Sequence, residues 1–229
     1  MKVVVIGGVA GGASAAARIR RLDEQAEIVM FERGEHVSFS NCSLPYYISG
    51  TVPTSEALVM MSPEKFKKQH NIDARVRSEV VAINRAEKTV TVKDLQTGAT
   101  YDEPYDKLVL APGANAVVPK SIRGVDQPHV FAVRNVTDIR RLKDYADQVQ
   151  ARNIVVAGGG FVGLEIAENF CHAGKHVTLV EGSSQVMAPF DFDMAQILHK
   201  ELLDQGMDVY LSSMVTEITP NGVIAKRGG

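Results

Sequence analysis

Arg152–Phe170, "RNIVVAGGGFVGLEIAENF", sets a run of β-branched and small apolar residues directly against Gly158, Gly160 and Gly163, then continues at helical spacing. An apolar run without polar alternation suits a strand buried on both faces of a parallel sheet. Glycine at G-x-G-x-x-G spacing lets the chain turn tightly and lets a diphosphate reach the backbone. The helix that follows presents free N–H groups that favour negative charge. The next strand, "HVTLVEG" at His176–Gly182, ends on Glu181. An acid there binds a free ribose 2'-hydroxyl and repels a 2'-phosphate, so NAD(H) is favoured over NADP(H).

The same pattern opens the chain. "KVVVIGGVAGG", Lys2–Gly12, is a strand followed by Gly7, Gly8, Gly11 and Gly12; "ASAAARIRRLDE" reads as an amphipathic helix, and "EIVMFE" as a second strand ending on Glu32. That acid falls about 20 residues beyond the last glycine, as a ribose ligand would. Val9 departs from the pattern by standing where the second glycine belongs. Between the two copies, "DARVRSEVVAINRAEKTVTVKD", Asp73–Asp94, alternates like antiparallel strands with a turn near Asn84 to Lys88. "YDKLVLAPGA" follows, an apolar strand running into Pro112 and Gly113. Two nucleotide folds in series suggest one cofactor passing electrons to another, and hydride from nicotinamide to flavin is the economical reading.

Composition narrows the partners. The 229 residues are 45% hydrophobic, enough for one or two packed domains, and 25 basic against 27 acidic residues give a net charge of -2. Such a balance disfavours nucleic acid and anionic membranes. The apolar start is broken by glycines and passes into a helix without a cleavage site, and no run has the roughly 18 apolar residues of a membrane span. Only two cysteines occur, Cys42 and Cys171, and no Cys or His shows metal-ligand spacing. No metal is expected, and a reducing cytoplasm fits best.

Cys42 lies in "SFSNCSLPYYISG", Ser38–Gly50. Pro45 suits the first turn of a helix, which would put Cys42 at a helix N-terminus where a thiolate is favoured. The alternative is a packed thiol, as cysteine is often a small core hydrophobe; Cys171, among apolar residues, reads that way. Ser14, Arg18 and Arg21 form one stripe on the first helix, away from Ala15, Ile19 and Leu22. Two guanidiniums in a row suit a phosphorylated ligand, though a solvated basic face has the same pattern. Asp191 or Asp193 reads as a helix cap.

"VVIGGVAGGASAAARIRRLDE", "FERGEHVSFSNCSLPYYISG", "YDKLVLAPGA" and "GGGFVGLEIAE" together resemble the pyridine nucleotide-disulfide oxidoreductases, in particular their single-cysteine branch of coenzyme A disulfide reductases and NADH-dependent persulfide reductases. The resemblance implies an α/β chain of two Rossmann-like FAD/NAD(P)-binding domains with parallel central sheets. Residues 1–115 would be the first part of the FAD-binding domain and 116–229 an incomplete NAD(P)-binding domain. FAD would lie on Gly7, Gly8, Val9, Ala10, Gly11 and Gly12, with Glu32, Arg33, Asn41 and Val80, and with Ala111, Pro112 and Gly113. NADH, rather than NADPH, would lie on Gly158, Gly160, Phe161, Val162, Gly163 and Glu181. Phe161 matches a ring that covers the flavin in the family, although core packing suits it almost as well.

Cys42 would be the redox-active thiol, attacking a coenzyme A disulfide or persulfide, or another small thiol-derived substrate. Coenzyme A would meet Ser14, Arg18, Arg21, Ser38 and Asn41, while His70 stays unassigned. Relatives acting on peroxide or oxygen carry a histidine where this chain has Ala10. Reduction of a disulfide or persulfide is therefore preferred to an NADH oxidase or peroxidase cycling through sulfenic acid. By the same resemblance the chain looks truncated, without the C-terminal domain through which a full-length parent would form a homodimer. Such a piece is expected to be poorly active, or a nucleotide-binding module without turnover, and its first sheet should end on an unpaired edge.

Overall fold

The computed structural model describes residues 1–228. By compactness the chain forms two units, 1–41 with 56–115, and 42–55 with the stretch from 116 onward.

In the first unit, β1 (Lys2–Ile6), α1 (Ala10–Leu22) and β2 (Glu27–Phe31) follow one another, then α2 (Pro63–His70) and β3 (Ile72–Arg75). Next come β4 (Ser78–Asn84), β5 (Thr89–Asp94), β6 (Thr100–Pro104) and β7 (Lys107–Leu110). The parallel sheet has the order β3-β2-β1-β7, and β4-β5-β6 form a separate antiparallel sheet. Successive side chains of a strand point to opposite faces, so β1 serves both layers. Val3 and Val5 pack with Ala13 and Ala16 of α1 and Phe66 of α2. Val4 packs the other way, with Phe31, Val90 and Val92. Each fully buried Val or Phe of this kind contributes about 1.5–3 kcal/mol.

Two sequence expectations need correction. Ile72–Arg75 is not part of the antiparallel set; it pairs parallel with β2, because the preceding α2 returns the chain in the same direction as β2. That helix is bounded by Ser62, whose hydroxyl accepts from Lys65 N–H, and by Asn71 in the left-handed conformation. On α1 the buried residues are Gly12, Ala13 and Ala16, while Leu22 is 69% exposed. The helix ends there, and Arg20 instead fastens its last turn, donating to the carbonyls of Asp23, Glu24, His70 and Asn71.

A polar clasp joins the two sheets. Glu103 of β6, almost buried, accepts from Lys2 of β1 at 2.5 Å and from Arg75 of β3 at 2.6 Å. Burial alone would raise its carboxyl pKa, but the two cations outweigh burial and lower it.

The second unit contains α3 (Val136–Gln148), β8 (Asn153–Ala157), α4 (Phe161–His172), β9 (His176–Val180), α5 (Phe192–Asp204) and β10 (Asp208–Tyr210). A hairpin of β11 (Ser213–Thr219) and β12 (Gly222–Arg227) ends it. Its parallel sheet has the order β10-β9-β8. Asn135 and Asp138 cap α3 reciprocally, and Asp191 takes the cap position of α5 without a side-chain hydrogen bond. Among the described residues, β7 and β8 each have a free outer edge, no helix is long and apolar enough to cross a membrane, and no cluster of His, Cys, Asp and Glu could hold a metal.

Candidate nucleotide-binding turns and the exposed thiol

The first glycine turn packs closely against neighbouring backbone. Gly7 has φ +97°, and a Cβ on it would lie 1.9 Å from the Ala111 carbonyl oxygen; one on Gly12 would lie 1.7 Å from Gly7 O. Only glycine meets both demands, an unusual φ and a backbone at contact. Val9 is accommodated with a negative φ of -101°. The place of the missing glycine therefore needs no left-handed backbone.

Glu32 acts on this turn directly. Its Oε2 accepts from Gly8 N–H at 2.9 Å and its Oε1 from Gly34 N–H at 2.8 Å, so the carboxylate bridges the turn and the end of β2. Ser38, at φ +47°, donates its N–H to Gly8 O and accepts from Met60 N–H. Beside the turn is an open cleft of about 270 Å³. It gathers Gly7, Glu32, Arg33, Val80, Pro112 and Gly113 of the expected residues, with Ser78, Glu79 and Asn115 in addition. Arg33 Nη2 donates to Asn115 Oδ1, and Arg33 lies 4.0 Å from Glu79. Asn115 directly follows "APGA", the end of the stretch expected to run from strand into Pro112 and Gly113, and that adjacency was its only signal. Val9, Ala10 and Gly11 begin α1 and do not line the cleft.

The second turn repeats the first atom for atom in its hydrogen bonds. Gly159 N–H donates to Glu181 Oε2 and Ser183 N–H to Glu181 Oε1, both at 2.6 Å. Burial would push the Glu181 carboxyl up, yet these backbone donors hold it below the usual carboxylate range. A Cβ on Gly163 would lie 1.9 Å from Gly158 O, as Gly12 does from Gly7 O. Gly158 has φ +110°, but a Cβ on it or on Gly160 would meet nothing within 4 Å. That vacant space is what a ligand's diphosphate needs to reach the backbone. Phe161 and Val162 are both exposed. Core packing of Phe161 is thereby excluded; its ring rests edge-on against Phe190, 6.2 Å between centroids.

Cys42 is exposed. It does not start an α-helix, contrary to the sequence reading. Asn41–Ser43 and Pro45–Tyr47 are separate three-residue 3-10 turns, Pro45 opening the second. Runs this short sum few peptide dipoles, so they supply little of the field that an α-helix N-terminus would. Cys171 is half-buried, and burial pushes its thiol pKa up, as a packing role requires. Ser14, Arg18 and Arg21 are exposed on α1. Asn41 Oδ1 is buried with no hydrogen-bond partner among the described residues, an acceptor without a donor.

The sequence profile of the family described as pyridine nucleotide-disulphide oxidoreductase matches residues 1–228. A coenzyme A disulfide reductase of Staphylococcus haemolyticus is 37% identical over 227 residues, covering 99% of this chain and 51% of that protein. The crystal structure of reduced Bacillus anthracis CoADR-RHD superposes with a TM-score of 0.95 at 46% identity, over 100% of this chain and 41% of that one. An NAD-dependent persulfide reductase from A. fulgidus gives 0.92 at 33% identity, over 98% and 43%. The chain thus spans about half the length of the curated relatives it matches.

Proposed function

Because the chain belongs to the pyridine nucleotide-disulphide oxidoreductase family, we propose that it serves a flavin-dependent NADH oxidoreductase that reduces coenzyme A disulfide or a coenzyme A persulfide through Cys42. FAD is assigned to residues 1–115 and NADH to residues 116–229. The observation that carries this reading is the repeated turn: at Gly8 and again at Gly159, a backbone N–H is held by the carboxylate that ends the next strand. One nucleotide-binding geometry built twice suits two nucleotide cofactors in one chain.

The residues present fit both groups. The cleft beside Gly7 has room for a nucleoside, and Glu32 and Arg33 reach it from the end of β2. Both Glu181 oxygens already accept from backbone, which fixes the carboxylate where a 2'-phosphate would meet its charge. FAD, when bound, supplies two-electron transfer from NADH to a disulfide. This chain's own chemistry lies at Cys42, whose exposed sulfur a substrate can approach. As thiolate it attacks the disulfide, the S–S bond breaks, one thiol leaves and the other stays joined to Cys42. Arg18 and Arg21, exposed on one face of α1, suit the phosphates of coenzyme A.

The test is a visible spectrum of the purified protein followed by anaerobic NADH titration. A flavin band at roughly 450 nm that bleaches with NADH is expected. Thiol release from coenzyme A disulfide should disappear in Cys42→Ser while the flavin stays bound. Turnover that survives in that variant, or protein that takes up neither FAD nor NADH, overturns the reading.

A further inference from the structure

The segment from Ser183 to Met187 lies against the second glycine turn and is laced to it. Ser183 N–H donates to Glu181 Oε1, and Met187 N–H donates to Gly159 O at 2.8 Å. Met187 holds φ +50°, a left-handed conformation that a long side chain adopts only when its surroundings impose it. Between these two ties is Val186, wholly buried, its side chain 2.9 Å from where a Cβ on Gly159 would stand. The Val186 N–H needs an acceptor, and it finds one on another element: His199 Nε2 of α5, at 3.0 Å.

A backbone N–H can only donate, so His199 Nε2 accepts and carries no proton. The other ring nitrogen, Nδ1, lies 3.2 Å from Gln196 Oε1. That oxygen accepts, since Gln196 Nε2 is occupied in donating to Phe192 O. His199 is therefore fixed by its neighbours as the neutral Nδ1–H tautomer.

We propose that His199 is a positioning residue for dinucleotide recognition: by accepting the buried Val186 N–H it holds the loop that keeps Glu181 and Gly159 in register. This rests on the reading of residues 158–181 as the NADH turn. Without the acceptor, Val186 N–H is buried and unsatisfied, and the loop can relieve it only by leaving Gly159. Ser183 N–H moves with that loop, so Glu181 loses the donor on its Oε1 and with it a fixed orientation.

The experiment uses the full chain with its flavin. The ¹⁵N shifts of the His199 ring at neutral pH should report a protonated Nδ1 and an accepting Nε2. His199→Leu, of similar bulk but with no acceptor, should raise the NADH KM about tenfold and change kcat by less than roughly twofold. Preference for NADH over NADPH should shrink, because that preference depends on the orientation of Glu181. His199→Gln, whose amide oxygen can stand in for Nε2, should recover most of the loss; a residue that only filled space would be rescued by neither bond. An Nε2–H tautomer or an imidazolium overturns the proposal, as does a leucine variant with wild-type NADH KM. If the leucine variant does not fold, the tautomer and the glutamine variant decide. Wild-type protein that binds no NADH removes the functional reading, and the proposal with it, whatever the tautomer.

Discussion

The two glycine turns share a connectivity and differ in their surroundings. Around the first, β1 is an inner strand with β2 on one side and β7 on the other, and the Ala111 carbonyl closes on Gly7. Around the second, β8 is outermost among the described residues, and nothing stands within 4 Å of where a Gly158 side chain would begin. Conformation demands glycine at both places; space demands it only at the first. The contact between glycines five residues apart, Gly7 with Gly12 and Gly158 with Gly163, belongs to the turn itself and is the same in both.

Alanine substitutions break or sharpen that comparison most directly. Gly12→Ala and Gly163→Ala each force a Cβ into a backbone carbonyl and should cost about 3 kcal/mol or more in urea unfolding, equally in the two turns. Gly7→Ala should be as damaging, whereas Gly158→Ala meets only conformational strain and should cost about 1–3 kcal/mol. Equal losses at Gly7 and Gly158 would mean that the outer side of β8 is filled in solution.

A smaller effect is expected at the bridging acids. Glu32→Gln and Glu181→Gln each turn an amide NH2 toward one backbone donor and should lose about 1–2 kcal/mol of stability. If only one of them responds, the two bridges are not equivalent.

Acid titration tests the second bridge in another way. The folded-state pKa of Glu181 is lowered from 4.5. Its stabilisation is therefore complete above that unfolded value and is lost as pH falls through the lower folded one. Wild-type protein should lose stability below about pH 4.5 more steeply than Glu181→Gln, whose bridge does not titrate. Parallel curves would sink the bridge as an electrostatic contact. Glu103, lowered by Lys2 and Arg75, adds loss in the same direction, so the difference between the two proteins is the quantity to read.

The smallest effect is expected from Arg33→Ala, since its partners Asn115 and Glu79 lie at an open cleft. Its cost in stability should be about 0–1 kcal/mol, and any larger change should appear in flavin retention instead.

What the residues revealed depended on how local their causes were. The strand, turn and helix around Gly7 and Gly158 were legible because the pattern and the geometry lie within about 30 residues of chain. Arg75 misled: its neighbours alternate like an antiparallel strand, but pairing with β2 is decided by α2 folding back, over a span no alternation reports. Cys42 misled differently. Pro45 does open a helical turn, but one of three residues, and nothing near it in sequence says how soon the chain turns away. His199 gave no signal and Asn115 only its adjacency to "APGA", since each matters through a residue on another element.

By itself the sequence determined the two nucleotide turns, the acids that end their second strands and the cysteine with its unusual setting. These follow from backbone conformation and charge, which a few adjacent residues dictate. Only the tertiary structure decided what those acids hold. Glu32 and Glu181 grip the backbone of their own turns, because each carboxylate meets an N–H more than 20 residues away that chain folding alone brings within reach.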